Sequence, residues 1–485
     1  MNNLLLGCYM AASVTYLMVR PAWRNVGPSL LDSFILGLSL FAAGSVTVWL
    51  EGLSNSEAVM RIGISAALAG TLGASLWSLT FRPWFSRFKF FDVAMKLRAS
   101  NIDRFTITAG LTVASLVSVW FVAAVIANEH VRALLIGAVF HGTGTLNQAR
   151  ITVSSGAEGY YAPGYVKQFR DVLLPTLCLA AVLCHGTYRN RPLFYFALTT
   201  GLASVFVSGQ RLVVVEFILG LGCVFLIDFI SSTRQRFISA KLSVLMLITM
   251  IGLVMVMTDM LGRLDMALSP KVQTAEQETS ALLEQPKIST SAPAIAQIDE
   301  PPKPEISQTL TSSGVPRPIA AIIAIAHRAT IAVPRENTIS YPLWASRSPA
   351  LGAGWVTDLS GMRPGTQSQI SNDLSEANGG GPLGNSPLGL ATDIYYNWGW
   401  LGVALVPPVC AILFLLIDMA AVGSNSPLLF AAKIFLFFSV PLMYSPFMFL
   451  LYGGAVVLAL IGYVRVVETN AVRRRLKQFN ILTGD

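Results

Sequence analysis

Charge is the scarcest resource in this chain. Of its 485 residues only 12% are Asp, Glu, Lys or Arg, against ~25% in an average soluble domain. So few charges cannot cover the surface of a soluble protein of this size, which excludes a soluble enzyme or a nucleic-acid-binding protein. A disordered chain is excluded by the 53% of hydrophobic residues, because disorder needs low hydrophobicity. Cysteine is sparse too: Cys8, Cys178, Cys184, Cys223 and Cys410 fall in or beside apolar runs with no CxxC pair. They read as small core residues, neither a disulfide frame nor a metal site. No His/Cys/carboxylate cluster has zinc spacing, and there is no GxxxxGK[ST] phosphate loop and no GxSxG elbow. Paired Asp motifs of a metal-dependent glycosyltransferase are also missing, so the expectation is no metal and no cofactor.

What is abundant is apolar sequence in runs of about 20 residues, the length that spans a bilayer core as a helix. The mean hydropathy is +0.60. These features predict an all-α polytopic membrane protein. The candidate spans number eleven: 3–20, 31–50, 62–80, 105–127, 166–184, 193–208, 212–231, 242–261, 393–417, 427–444 and 446–464. The segment 133–140 is a candidate re-entrant piece. The apolar start from Asn3 to Val19 lacks a basic leader and an A-x-A site, so it reads as a first span and not a signal peptide.

The net charge of +8 follows from topology, since Lys and Arg gather on the cytoplasmic side. The connection 81–104 carries Arg82, Arg87, Lys89, Lys96, Arg98 and Arg104, so it is placed inside. Alternation then puts Arg20, Arg24, Arg189, Arg191, Arg234, Arg236, Lys241 and the run Arg473-Arg474-Arg475 inside as well. Eight spans thus occupy 1–261 with an outer loop at 128–165. A large outer loop follows at 262–392, then three spans in 393–466 and a basic inner tail at 467–485. Within the large loop, 268–318 is rich in Ser, Thr, Pro, Gln and Glu and reads as disordered. Residues 319–390 are expected to be ordered, with a short helix in 319–347 lying on or dipping into the membrane. No internal repeat is visible, which gives an inverted-repeat transporter no support.

Few charges sit in mid-span, where they are costly and usually functional: Glu216, and Lys433 near an inner end. Others gather at outer span ends, against the positive-inside bias: Lys167, Arg170 and Asp171, then Arg211 in the turn Ser208-Gly209-Gln210-Arg211, then His327, Arg328, Arg335 and Glu336. Single arginines at helix ends also snorkel to headgroups. The sharper reading is a phosphate site, because the guanidinium fork matches phosphate oxygens two at a time. Lys167 and Arg170 share a helical face by i, i+3 spacing. His327 and Glu336 are the candidate bases, with Asp393 and Glu158 behind them. Tyr160, Tyr161, Tyr165, Tyr341, Trp344 and Trp355 suit stacking on sugar faces and equally suit an interfacial aromatic belt.

Four stretches together resemble the Wzy-type O-antigen and exopolysaccharide repeat-unit polymerases, relatives of the O-antigen ligases. They are Gly164-Tyr165-Val166-Lys167-Gln168-Phe169-Arg170-Asp171, the Ser208–Arg211 turn, the late outer loop with His327-Arg328 and Arg335-Glu336, and Asp393-Ile394-Tyr395-Tyr396-Asn397-Trp398-Gly399-Trp400. The insert at 268–318 departs from the family. The resemblance covers roughly 130–465 and implies a GT-C-like bundle in a bacterial inner membrane, with the large loop periplasmic between the eighth and ninth spans. It implies a metal-independent, inverting glycosyltransferase that takes a glycan from undecaprenyl diphosphate and adds it to a second lipid-linked repeat unit. Lys167, Arg170, Arg211, Arg328 and Arg335 would hold the diphosphate. His327 or Glu336 would take the proton, with Arg211 stabilising the leaving group, and Tyr161, Tyr165, Tyr341 and Trp344 would face the glycan. The resemblance allows a chain-length regulator as partner, and no nucleic acid. The rival readings are a ligase acting on lipid A or protein, and, in a different class, a flippase for a lipid-linked oligosaccharide.

Overall fold

The computed structural model describes residues 2–20, 27, 29–86, 99–129, 132, 164–184, 190–208, 216–224, 328–360, 373–374, 388–422, 426–440 and 454–467. Among these the regular structure is helical, without strands. Helices α1 (Asn2–Val19), α2 (Leu30–Leu50), α3 (Ser56–Phe85) and α4 (Asn101–Ala127) come first. Next are α5 (Gly164–Lys167), a π-helical turn (Gln168–Leu173), α6 (Leu174–Leu183) and α7 (Arg191–Ser208), with a further helical stretch, α8, at 216–224. A second π-helical turn (Arg328–Ala332) leads to α9 (Val333–Ile339), α10 (Tyr341–Ala345) and α11 (Ala353–Ser360). The long α12 (Leu390–Val422), α13 (Pro427–Ser439) and α14 (Ala455–Val467) complete the described chain.

Five described helices are long and apolar enough to cross a membrane: α1, α2, α3, α4 and the stretch Leu390–Ala421 of α12. These are the helices of a membrane protein. They match the expected spans 3–20, 31–50, 62–80, 105–127 and 393–417 within a few residues at most ends. The others fall on shorter helices or outside the described residues. The expected span 166–184 is interrupted by the first π turn. The candidate at 242–261, the segment 133–140 and the insert 268–318 lie outside the described residues. Of the expected membrane-surface helix in 319–347, the described part is three short helical pieces, from Arg328 to Ala345.

Helix α3 is the hub, packed against α1, α2 and α12, and its small residues make that approach close. A Cβ on Gly70 would come within 2.6 Å of Leu38, and one on Gly73 within 2.7 Å of the Pro408 Cα. Membrane helices lack a hydrophobic drive toward one another, so such bare backbone contact is what joins them. Pro407 and Pro408 lie inside α12, where proline removes ladder N–H groups. The Trp77 indole donates to the Pro408 carbonyl at 3.2 Å. A second group forms around α4, which packs on α7 and α6, while α6 packs on α13.

The two ends of the bundle are fastened by polar knots. At one end Ser100 and Asp103 form a capping box on α4, and the Ser426 hydroxyl, at the N-cap of α13, donates to Asp103 at 2.6 Å. There too, Asp418 accepts from the Ser29 hydroxyl at 2.8 Å and the Leu30 N–H at 3.1 Å, and pairs with Lys433 at 3.2 Å. Beside it Asp32 accepts from Tyr16 and Arg20 at 2.5 and 2.6 Å. At the opposite end Asn2 donates to Glu57 at 2.8 Å and Arg335 pairs with Glu51 at 2.9 Å. Helices α1, α2 and α3 therefore alternate in direction.

Candidate functional site

The residues that fold over the Glu51 end come from two stretches far apart in sequence. The first is the second π turn with α9, packed along α2. A Cβ on Gly44 of α2 would collide with the Thr330 carbonyl, so glycine there lets the two backbones touch. The second is the start of α12. Asn337, buried between them, accepts at its Oδ1 from the Gly389 N–H at 2.9 Å and from the Thr392 hydroxyl. Its backbone carbonyl takes the Trp344 indole N–H at 2.9 Å. One asparagine thus ties α9, α10 and α12 together.

Helix α12 is broken nine residues from its start. Gly399 has φ 60° and ψ −152°, a conformation essentially reserved for glycine. The break strands the carbonyls of the last turn before it, which would otherwise accept from the N–H groups four residues on. The segment 348–352 supplies the missing donors. The Ser348 hydroxyl donates to the Tyr395 carbonyl at 3.1 Å, the Ala350 N–H to that of Tyr396 at 2.7 Å and the Gly352 N–H to that of Asn397 at 3.1 Å. Side chains extend the strap: the Trp355 N–H donates to Asn397 Oδ1 at 3.3 Å and its indole to Asp393 Oδ2 at 2.9 Å. The Asn397 amide donates back to the Asp393 carbonyl at 3.0 Å. Gly352 and Gly354 make this possible, since a Cβ on either would meet Trp398 or Asn397 at 2.8 Å.

Aromatic rings fill the joint edge to face. Tyr341 and Trp344 stand 5.0 Å apart, Trp344 and Tyr395 6.1 Å, and Tyr395 and Trp400 5.2 Å. Trp355 and Trp398 form a further pair at 5.8 Å. Trp344 is 0% exposed, so its ring is part of the core column, while Tyr341 is half-buried and Trp400 exposed. Of the residues expected to face a glycan, Tyr341 keeps some access and Trp344 has none here.

The anion-binding candidates divide. Arg335 lies on α9, half-buried, its guanidinium on Glu51, with Glu336 next to it in the first turn of the same helix. The Glu336 carbonyl accepts from the Ser340 N–H at 3.0 Å. Arg170 is elsewhere, among α4, α6 and α7, and only 4% exposed. Its Nε and Nη2 contact both oxygens of Asp171 at 2.5 and 2.7 Å, and its guanidinium lies 4.3 Å over the Phe121 ring. The i, i+3 face expected for Lys167 and Arg170 is not kept, because the chain enters a π turn at Gln168. The wider turn rotates Arg170 inward and leaves Lys167 half-buried. Such π turns recur at functional sites. Arg211, His327 and Tyr161 lie outside the described residues, as do Glu158 and Tyr160, and for Arg328 and Tyr165 only the backbone is described. Among the described residues no three His, Cys, Asp or Glu stand close enough to hold a metal ion.

Two residues that organise the molecule escaped the sequence reading. Asp418 did so because ending the span at 417 left it outside, although the run stays apolar to Val422. Asn337 gave no pattern signal, being one polar residue in a mixed stretch. No family model, no curated protein and no solved structure matches the chain.

Proposed function

We propose that this protein is a polysaccharide repeat-unit polymerase of the bacterial inner membrane, transferring a glycan from undecaprenyl diphosphate to a second lipid-linked repeat unit at the periplasmic face. One observation carries the reading. Two of the four stretches with the resemblance, Arg328–Glu336 and Asp393–Trp400, are joined through Asn337 and the strap at one end of an apolar helix bundle. A lipid-linked substrate needs this arrangement: hydrocarbon-facing helices below, and cations, a carboxylate and aromatic rings above.

In the reaction the bond from the sugar C1 to the diphosphate oxygen breaks and a bond from C1 to the acceptor hydroxyl oxygen forms. Undecaprenyl diphosphate leaves with the electron pair, and the hydroxyl proton passes to a base. Glu336 or His327 takes that proton. Arg328 and Arg335, with Arg211, offset the charge that builds on the diphosphate. Arg335 reaches a diphosphate by exchanging Glu51 for it; both are partly exposed, and such surface pairs hold weakly. Arg170 stands apart from that set, in the other helix group with both ends of its fork on Asp171. Asp393 is occupied by Trp355 and Asn397 and positions the strap.

The test is turnover by the purified protein in liposomes with undecaprenyl-diphosphate-linked repeat units, products resolved as a ladder on a gel. A ladder is expected with and without chelator. Glu336→Gln is expected to slow it by about 10²-fold if Glu336 is the base. Intact protein that makes no ladder, or a ladder that chelator abolishes, would end the proposal. Transfer of one preassembled glycan to lipid A would turn the reading to a ligase.

A second reading, a flippase for the same lipid-linked substrate, draws on the break at Gly399. Broken helices are common in transporters. It predicts movement of a fluorescent lipid-linked oligosaccharide across liposomes with its length unchanged.

A further inference from the structure

Leu351 stands in a place that water alone does not explain. Its backbone is left-handed, φ 49°, a conformation that costs free energy for any residue with a Cβ. Yet its side chain is 75% exposed, so that cost returns no burial within the chain. Gly352, φ 80°, completes the turn and sets its backbone against the Trp398 ring. Val356, on α11, is 66% exposed. From Ser348 to Val356 the strap carries no charged residue. Charge begins just outside it, at Arg347, which pairs with Asp373 at 2.5 Å.

The strap is not a loose loop, because five hydrogen bonds fix it to the top of α12. Helix α12 presents an exposed apolar row directly below: Leu401, Leu405, Val409 and Leu413, spaced four apart and so on one face. In a helix long and apolar enough to span, that row faces lipid chains. Trp398 and Trp400 are exposed where the row begins, the level at which indoles mark the membrane–water boundary. The strap, bonded to the top of this helix, adds Leu351 and Val356 to its exposed apolar residues.

We propose that the segment 348–356 lies in the interfacial layer of the bilayer, with Leu351 and Val356 inserted among lipid chains at the depth of the glycerol groups and Trp398 and Trp400 beside them. The partner is the lipid leaflet itself. The strap thereby sets the depth of the break at Gly399, whichever reaction is carried out above it.

The test uses the full chain in phosphatidylcholine liposomes. Leu351→Cys, in a Cys8→Ser, Cys223→Ala background, carries a bimane fluorophore. Leu413→Cys, the member of the exposed row farthest from Trp400, serves as the deep reference. Lipids bearing a nitroxide near the glycerol are expected to remove most of the Leu351→Cys signal, while chain-end nitroxides and aqueous iodide remove little. The deep reference should respond to the chain-end nitroxide instead. Strong iodide quenching at Leu351→Cys places the tip in water and overturns the proposal. Protection from every quencher means a second protein surface covers it, and overturns it too. If Leu351→Cys fails to reconstitute, Val356→Cys carries the same expectations.

Discussion

Gly399 and Gly73 are both glycines in tight places, yet a methyl group would offend each for a different reason. At Gly399 there is room: the nearest atom to a new Cβ is on Pro349, 3.8 Å away. The obstacle is the backbone, with φ 60° and ψ −152°, where a side chain costs ~1–3 kcal/mol. Gly399→Ala and Gly399→Asn should therefore lower thermal stability in detergent about equally, because Asn is tolerated only in the left-handed helical region. At Gly73 the backbone is ordinary helix and the obstacle is Pro408. Gly73→Ala should lower stability while Gly73→Ser, no smaller than alanine, does no better. Sequence revealed Gly399 only as part of an aromatic motif. The apolar period of 393–417 reads straight through it, since side-chain periodicity carries no record of one backbone torsion.

Between elements, the decisive contact is the carboxylate of Asp418. It receives Lys433 from α13 and donors from the start of α2, so three helices meet on one group. Removing one member of a buried pair costs about 3–5 kcal/mol, because the other is left uncompensated. Asp418→Leu strands both the lysine and the α2 N–H groups. Lys433→Met leaves Asp418 its hydrogen bonds, and Asp418→Asn keeps an acceptor for the cap. The expected order of melting temperatures is parent, then Lys433→Met, with Asp418→Leu lowest. The double variant should gain back only the lysine's share, and equal losses for the two single variants would refute this division. Lys433 was visible in the sequence as a charge within an apolar run. Its partner was not, because the span boundary fell one residue short. The π turn at Gln168 was hidden for a related reason: its residues suit an α-helix, and packing selects the wider turn.

Across the molecule, direction alternates from helix to helix, which a labelling experiment can check. Ser54 lies in the α2–α3 connection and Ser86 caps the far end of α3; both are exposed. In a Cys8→Ser background, Ser54→Cys should react with an impermeant maleimide from the outside of intact cells, and Ser86→Cys only after permeabilisation. The reverse pattern would invert the whole topology and move the strap to the cytoplasm. At this scale the sequence was most informative. Helices α1 to α4 and α12 are long, apolar and bounded by polar residues, so length alone locates them. The candidate site was half legible: its aromatic and charged residues could be named, but not which carbonyls the strap would cover.

The cap on α2 has a further consequence for how the protein is made. The Leu30 N–H donates to a carboxylate 388 positions later, so the ribosome must deliver most of the polypeptide before the second helix is finished. Until then the early hairpin is provisional, its first turn held by the Ser29 cap alone. A message truncated ahead of codon 418 would yield several inserted helices without the carboxylate that closes the start of the second.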